Sequence, residues 1–254
     1  MVCHFETLNH IAIITIDRPE VKNAVDRQAA DELVRCFENF DADEDLYVAI
    51  LTGAKGTFCS GADLKAVSQG TGNRVATSGP GPMGPTRMLL DKPVIAAVEG
   101  YAVAGGLELA LWCDLRIAAE NATFGVFCRR WGVPLVDGGT VRLPRLIGHS
   151  RALDLILTGR GVGGKEALEM GLVNRLTAPE QALTEALALA EELCRFPQHC
   201  LRSDRLSSYQ QWDLTAPQAL AEETQRGLSV IESGETREGA RLFAAGAGRH
   251  GEFS

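Results

Sequence analysis

No stretch of the 254 residues approaches the ~20 consecutive apolar positions needed to cross a bilayer; the longest runs, such as 93–98, stop far short. A membrane partner is therefore not expected. A basic surface is also missing. Lys and Arg number 25 against 33 Asp and Glu, a net charge of −8, which argues against a nucleic-acid or anionic-membrane partner. Seven cysteines, at 3, 36, 59, 113, 128, 194 and 200, form no CxxC pair and are odd in number. No secretory apolar segment opens the sequence, so they read as buried free thiols of a cytoplasmic protein. No His/Cys spacing suits zinc, so no metal site is expected. No repeat of fixed period occurs, and the G-x-S-x-G elbow is absent. What the sequence does have is an ordinary supply of core, 45% apolar against 23% charged residues. It also has 27 glycines, and these are clustered.

Two short strands are expected over 2–16, where Ile11, Ile13, Thr15 and Ile16 are β-branched and Leu8-Asn9-His10 can turn. Asp26 can cap a helix to about Phe40 with Ala30, Leu33, Val34 and Phe37 on one face. Continuous apolar runs at 47–52 and 93–98 read as strands covered on both faces, the signature of an α/β sheet. A further strand is expected at 114–118. From about residue 139 the pattern turns helical, with candidates at 141–147, 151–157, 165–170, 179–195, 197–209, 217–232 and 237–245. Only 172–176 interrupts them as a strand. The expected division is an α/β core over 1–195 and a helical region over 196–254. The tract 68–85 holds five Gly and three Pro, and long loops of this kind in compact domains are commonly lids or binding loops.

Three segments carry candidate chemistry. The first runs from strand 93–98 through a turn at 99–106 into a helix at 107–112. Gly105 and Gly106 sit where the chain enters that helix. The free N–H groups and dipole there favour an anion or a developing oxyanion, although a tight packing turn would need the same residues. Glu108 follows in the first turn. It either complements the helix dipole or acts as a general acid/base whose pKa is raised by apolar Leu107, Leu109 and Ala110. The second segment is 56–64, where Gly61 before Ala62 can turn one backbone N–H outward as a second oxyanion donor and Asp63 can cap a short helix. The third is 124–140. Within it Asp137, in an apolar stretch before Gly138-Gly139, is either the N-cap of a helix over 138–147 or a second catalytic acid. The G-x-G-x-x-G at 159–164 lacks the preceding strand that dinucleotide binding requires. The near match to a phosphate loop at 159–166 ends in Glu166, which has no hydroxyl for a metal ion.

Taken together, Ile95-Ala-Ala-Val-Glu-Gly100-Tyr-Ala-Val-Ala-Gly105-Gly106-Leu-Glu108-Leu-Ala-Leu-Trp-Cys113-Asp114-Leu resembles the signature of the crotonase, or enoyl-CoA hydratase/isomerase, superfamily. Arg18-Pro19 with Lys22-Asn23-Ala24, Phe58-Cys-Ser-Gly61-Ala62-Asp63-Leu64, Gly138-Gly139-Thr140 with Arg142-Leu143, and Leu157-Thr-Gly-Arg160 with Glu166-Ala167 and Gly171-Leu172-Val173 fall in the same order.

The resemblance implies a spiral of ββα units with a helical C-terminal region that builds homotrimers or dimers of trimers. It implies a coenzyme A thioester as substrate and no separate cofactor. The N–H groups of Ala62 and Gly105 would hold the thioester oxygen. Lys22, Ala24, Gly61, Ala62, Asp63, Leu64, Gly106 and Cys128 would contact the substrate or its coenzyme A arm. The superfamily's hydratases use two Glu. Glu108 falls on the first, and Cys128 stands at the second. Asp137 falls where related dienoyl-CoA isomerases and 4-chlorobenzoyl-CoA dehalogenases carry a catalytic Asp. The expected activity is thus enoyl-CoA hydration or isomerisation through an enolate, with an Asp137-based activity or a non-catalytic acyl-CoA-binding role as alternatives. The Gly159 turn would be an ordinary helix-to-helix connection.

Overall fold

A computed structural model describes residues 2–248. Within them two compact units are distinguished, 2–193 and 194–248.

The first unit opens on β1 (Cys3–Leu8) and β2 (Ile11–Ile16), an antiparallel hairpin turned at Asn9. Helix α1 (Arg27–Ala42) follows, with the Asp26 carboxylate accepting from the Ala29 amide as expected. β3 (Val48–Gly53) and, after α2 (Leu64–Ser68), β4 (Val94–Val98) are buried nearly throughout, which is why neither alternates with polar residues. Then come β5 (Tyr101–Val103), α3 (Gly105–Trp112), β6 (Leu115–Ala119), β7 (Thr123–Gly125), α4 (Gly139–Ile147) and α5 (His149–Thr158). β8 (Gly161–Gly163), α6 (Gly164–Glu169), β9 (Arg175–Thr177) and α7 (Ala182–Cys194) complete the series.

Strands β1-β2-β3-β4-β6-β9 form one sheet, parallel from β2 onward, and β5-β7-β8 form a second. The ββα succession is visible in how the chain alternates between them. β4 and β6 lie in the large sheet; β5 and β7, which follow each at once, lie side by side and parallel in the small one. The segment after β3 joins the small sheet in the same sense. Cys59 bridges Ala102 in parallel, its amide donating to Tyr101 O (2.8 Å) and its carbonyl accepting from Val103 N (3.1 Å).

Two expectations need correction, and one strand carried no expectation. The turn expected at 99–106 contains β5, and its helix begins at Gly105 rather than 107. Residues 123–125 are a strand that three residues of pattern do not reveal. The Gly159 connection is not a plain helix-to-helix turn: Gly159 ends α5 in the left-handed region, and 161–163 then pair antiparallel with β7, burying Val162 opposite Phe124. Local propensity argues against a Gly-Val-Gly strand, and tertiary pairing overrides it. The strand expected at 172–176 is shorter and later: β9 begins only at Arg175, and 172–174 lie outside it.

Phe37, Phe40, Phe58 and Phe124 are fully buried in the core, and Phe37 meets Trp112 edge-on at 4.7 Å. Buried Arg116 donates to the carbonyls of Ala110, Cys113 and Leu172, satisfying the end of α3 and docking the approach to β9.

The second unit holds α8 (Gln198–Gln210), α9 (Ala216–Ser233) and α10 (Glu235–Ala244). Thr215 and Gln218 form a capping box at the start of α9. Residues 249–254 of the helical region expected over 196–254 lie outside the described residues. Among the described residues no helix is long and apolar enough to cross a membrane.

Gly106 lies beneath the crossing of the Cys59 segment and α3. A Cβ there would sit 2.1 Å from the Cys59 carbonyl oxygen, a backbone atom that cannot rotate away. Gly106→Ala is expected to cost more than ~2 kcal/mol by overpacking. Urea unfolding at neutral pH measures this, and a midpoint equal to that of the wild type would show that the crossing can yield.

Candidate active site

A cleft of about 870 Å³ opens at the edge of the small sheet where its parallel segments end. Register explains what gathers there. Cys59 stands beside Ala102, so three residues on, Ala62 comes level with Gly105. Val103 stands beside Gly125, so Cys128 reaches the same edge. Ala62, Gly105 and Cys128 all line the cleft, together with Glu108, Asp137 and Met83.

Ala62 bridges Val25 through its neighbours: Val25 N donates to Gly61 O (2.8 Å) and Asp63 N to Val25 O (3.1 Å). Its own N–H is directed to the other side and meets no acceptor among the described residues. Gly61 allows the turn with φ +103°, and a Cβ on it would lie 2.9 Å from Ala104 Cβ and 3.0 Å from Gly105 N. Gly105 supplies the first amide of α3, which has no partner in its own helix. The preceding Ala104 holds φ 53° and ψ −125°, a conformation that costs a non-glycine residue ~1–3 kcal/mol and is kept only where surroundings impose it. Its amide is fixed to Gly125 O at 2.8 Å. The result is two N–H groups from separate turns beside one cleft, without a partner among the described residues.

Glu108 is 2% exposed. Its Oε1 accepts from Asp137 N (2.9 Å) and Gly139 N (2.8 Å), while Oε2 accepts no hydrogen bond from the described residues. Burial pushes the carboxyl up to about 7, and the nearby Asp137 charge pushes the same way. The two amides oppose the rise without cancelling it. Asp137 is 3% exposed. Its Oδ1 accepts from Met83 N (2.9 Å) and from the Thr86 hydroxyl, and Oδ2 accepts from none of the described residues. Burial raises this carboxyl also, against the Thr86 and Met83 hydrogen bonds and the charges of Arg87 and Arg142. Asp137 is not the N-cap of α4: that residue is Gly138, with no side-chain cap. Glu108 has taken the amide a cap would satisfy.

Of the residues expected to contact substrate, Lys22, Ala62, Leu64 and Cys128 line the cleft with Gly105. Ala24, Gly61, Asp63 and Gly106 are not among its lining residues, and each has a structural task. Asp63 caps α2 through Lys65 N and Ala66 N and pairs with Arg18 at 3.2 Å, which holds its pKa below the usual carboxylate range despite the penalty of partial burial. The Ala24 carbonyl accepts from Arg18. Gly61 and Gly106 make room for the crossing turns. Cys128 sits in a 3-10 turn, Phe127–Trp131, and its thiol is pushed up by burial and by the Glu108 charge, so it is neutral.

The structure adds residues that the sequence did not single out. Met83 and Thr86 come from the Gly/Pro-rich tract and its end. Arg27 and Asn73 line the cleft, as does Trp131, 71% exposed. The available signal was the tract's length and composition, which marks a binding loop without saying which residue faces inward. Among the described residues no group of three or more His, Cys, Asp or Glu is arranged to hold a metal ion.

The family model for enoyl-CoA hydratase/isomerase matches residues 6–247. Enoyl-CoA hydratase EchA19 of Mycobacterium tuberculosis is 37% identical over 244 residues, covering 94% of this chain and 92% of that protein. Carnitinyl-CoA dehydratase of Escherichia coli K12 is 42% identical over 193 residues, 75% of this chain and 73% of that protein. The crystal structure of enoyl-CoA hydratase EchA1 from Mycobacterium marinum superposes with a TM-score of 0.91 at 37% identity, covering 96% of both chains. With this agreement of sequence, fold and extent, the chain belongs to the enoyl-CoA hydratase/isomerase family of enzymes.

Proposed function

We propose that the protein interconverts 2-enoyl-CoA and 3-hydroxyacyl-CoA thioesters, with the cleft as active site. The observation that carries this is the pairing of two amides that meet no acceptor among the described residues with two buried carboxyls, each anchored through one oxygen and without a donor among those residues at the other. In hydration, the thioester oxygen accepts from Ala62 N and Gly105 N, which stabilise the enolate that forms. Ionised Glu108 takes a proton from water as its oxygen bonds to the β-carbon. Asp137 accepts a hydrogen bond from the water's other O–H, which stays on the oxygen, and so orients it. Glu108 then returns its proton to the α-carbon, so one water is added and the enzyme is regenerated. A group with a pKa near 7 suits both directions of that transfer. Coenzyme A is part of the substrate, and the chemistry needs no further cofactor.

Cys128 favours a second reading. Where a hydratase of this superfamily would carry its second Glu, this cleft has a neutral thiol. Glu108 alone can carry a proton from the α- to the γ-carbon of a 3-enoyl thioester. Crotonyl-CoA and 3-enoyl-CoA therefore distinguish hydration from isomerisation. The same assays exclude a purely binding role if either turns over. Under the hydratase reading Glu108→Gln is expected to lower kcat by ~10²–10⁴-fold with a small change in KM. Asp137→Asn should also lower kcat. Wild-type rates in both variants would overturn the assignment.

Glu108 also links function to stability. Its folded pKa lies above the ordinary value of 4.5, so the native state holds this proton more tightly than the unfolded chain does. Stability is therefore lost as pH rises from about 4.5 through about 7, by at most about 3 kcal/mol. Glu108→Gln removes that cost. The variant is expected to melt above wild type at pH 8 and to lose the advantage near pH 4.5, as read by calorimetry across that range.

The helical region beyond Cys194 leaves Leu220, Ile231 and Phe243 about 60% exposed, which supports assembly through this region. The reading is a catalytic core over 1–195 and an assembly region over 196–254. Light scattering is expected to return the mass of three or six chains, and a monomer at micromolar concentration would overturn it.

A further inference from the structure

We propose that Thr86 is a positioning residue of the reaction: its hydroxyl and the Met83 amide hold Asp137 by Oδ1 and leave Oδ2 to the cleft. The proposal rests on the assignment of Asp137 to the chemistry. A carboxylate placed just before a helix normally turns back to cap it. Asp137 does not, because Glu108 occupies the Gly139 amide of α4. Its orientation must come from elsewhere, and Thr86 is built to provide it. Thr86 is 1% exposed, and Asp137 is the only partner its hydroxyl has among the described residues.

Two further features surround this contact. Gly81 leaves the space the contact requires: a Cβ there would lie 1.9 Å from Thr86 Oγ1 and 2.6 Å from Asp137 Oδ1. Arg142 fastens the two backbones together, donating to Asp137 O (2.9 Å) through Nη1 and to Thr86 O (2.6 Å) through Nη2. Thr86 and Asp137 are thus held at fixed separation by a clamp on their two carbonyls. Burial of an acid disfavours its charge, and a hydroxyl donor offsets part of that cost. Removing the donor should therefore loosen the orientation of Asp137 and make it harder to ionise. The charged groups around it, Glu108 on α3, Arg142 on α4 and Arg87 beside Thr86, stay in place.

The test is a mutant cycle on the purified full chain with the substrate that turns over. Thr86→Val, equal in shape, is expected to lower kcat ~10–100-fold with KM within about threefold of wild type, and Thr86→Ser to recover most of the rate. On the acidic side of the Glu108 break the kcat profile should fall more steeply in Thr86→Val and return to the wild-type shape in Thr86→Ser. In an Asp137→Asn background, Thr86→Val should add little further loss. If Thr86→Val does not fold, Thr86→Ala and Gly81→Ala interrogate the same contact by deletion and by crowding. Wild-type kcat and pH profile in the folded variants, with Asp137→Asn impaired, would overturn the positioning role alone. An unimpaired Asp137→Asn would instead remove the catalytic assignment beneath it. A loss that is additive with Asp137→Asn, or a rise in KM without change in kcat, would also refute the proposal.

Discussion

The site depends on one junction, where Glu108 Oε1 accepts the amides of Asp137 and Gly139. A carboxylate from α3 stands at the N-terminus of α4, so the two helices share a single acid. Gly139 permits the approach: a Cβ there would sit 2.9 Å from that oxygen. The same junction determines where Asp137 points. Relieved of capping, it turns toward Met83 and Thr86 and ties the Gly/Pro-rich tract to the cleft.

Two buried carboxyls in one cleft cannot both be ionised cheaply, and their surroundings divide the task. Both are raised by burial. Glu108 rises to about 7 even with two amides on one oxygen, and the Asp137 charge is among the causes. Asp137 is opposed by a hydroxyl, an amide and the charges of Arg87 and Arg142. Under the proposed reading Asp137 is the anion and Glu108 is the group that gains and loses a proton. Cys128 fits this division. A third carboxylate at its position would add like charge to an already crowded cleft. A protonated thiol adds bulk and no charge.

Much of this was legible in the sequence, for physical reasons. Continuous apolar runs marked β3 and β4. Asp26 and Asp63 announced the helices they cap, because capping is local. Glu108 in apolar flanks predicted a raised pKa, since burial by its own helix neighbours is also local. Asp137 could not be resolved between cap and acid, because the answer depends on Glu108, distant in sequence. Thr86 and Met83 escaped notice because a Gly/Pro-rich tract has no periodicity that reveals which side chain turns inward. β7 and β8 escaped because three residues are stabilised by neighbours rather than by propensity.

The two amides illustrate how a parallel sheet can bring two backbone N–H groups to one cleft without any special side chain. A parallel bridge at Cys59 and Ala102 sets the register, and each segment then runs two residues to a turn. Gly61 makes its turn at φ +103°, open to glycine without strain. Ala104 makes the corresponding one at φ 53° as an alanine, at a cost. Relief of that strain would require the segment before α3 to shift, and both neighbours prevent it. The Ala104 amide is bonded to β7 at Gly125, and Gly106 is wedged under the Cys59 carbonyl. The strained turn therefore persists because the packing that surrounds it is rigid, and the same rigidity keeps the Gly105 N–H directed at a fixed point. Preorganisation of this kind lets a backbone amide stabilise developing charge without reorganising as the charge forms.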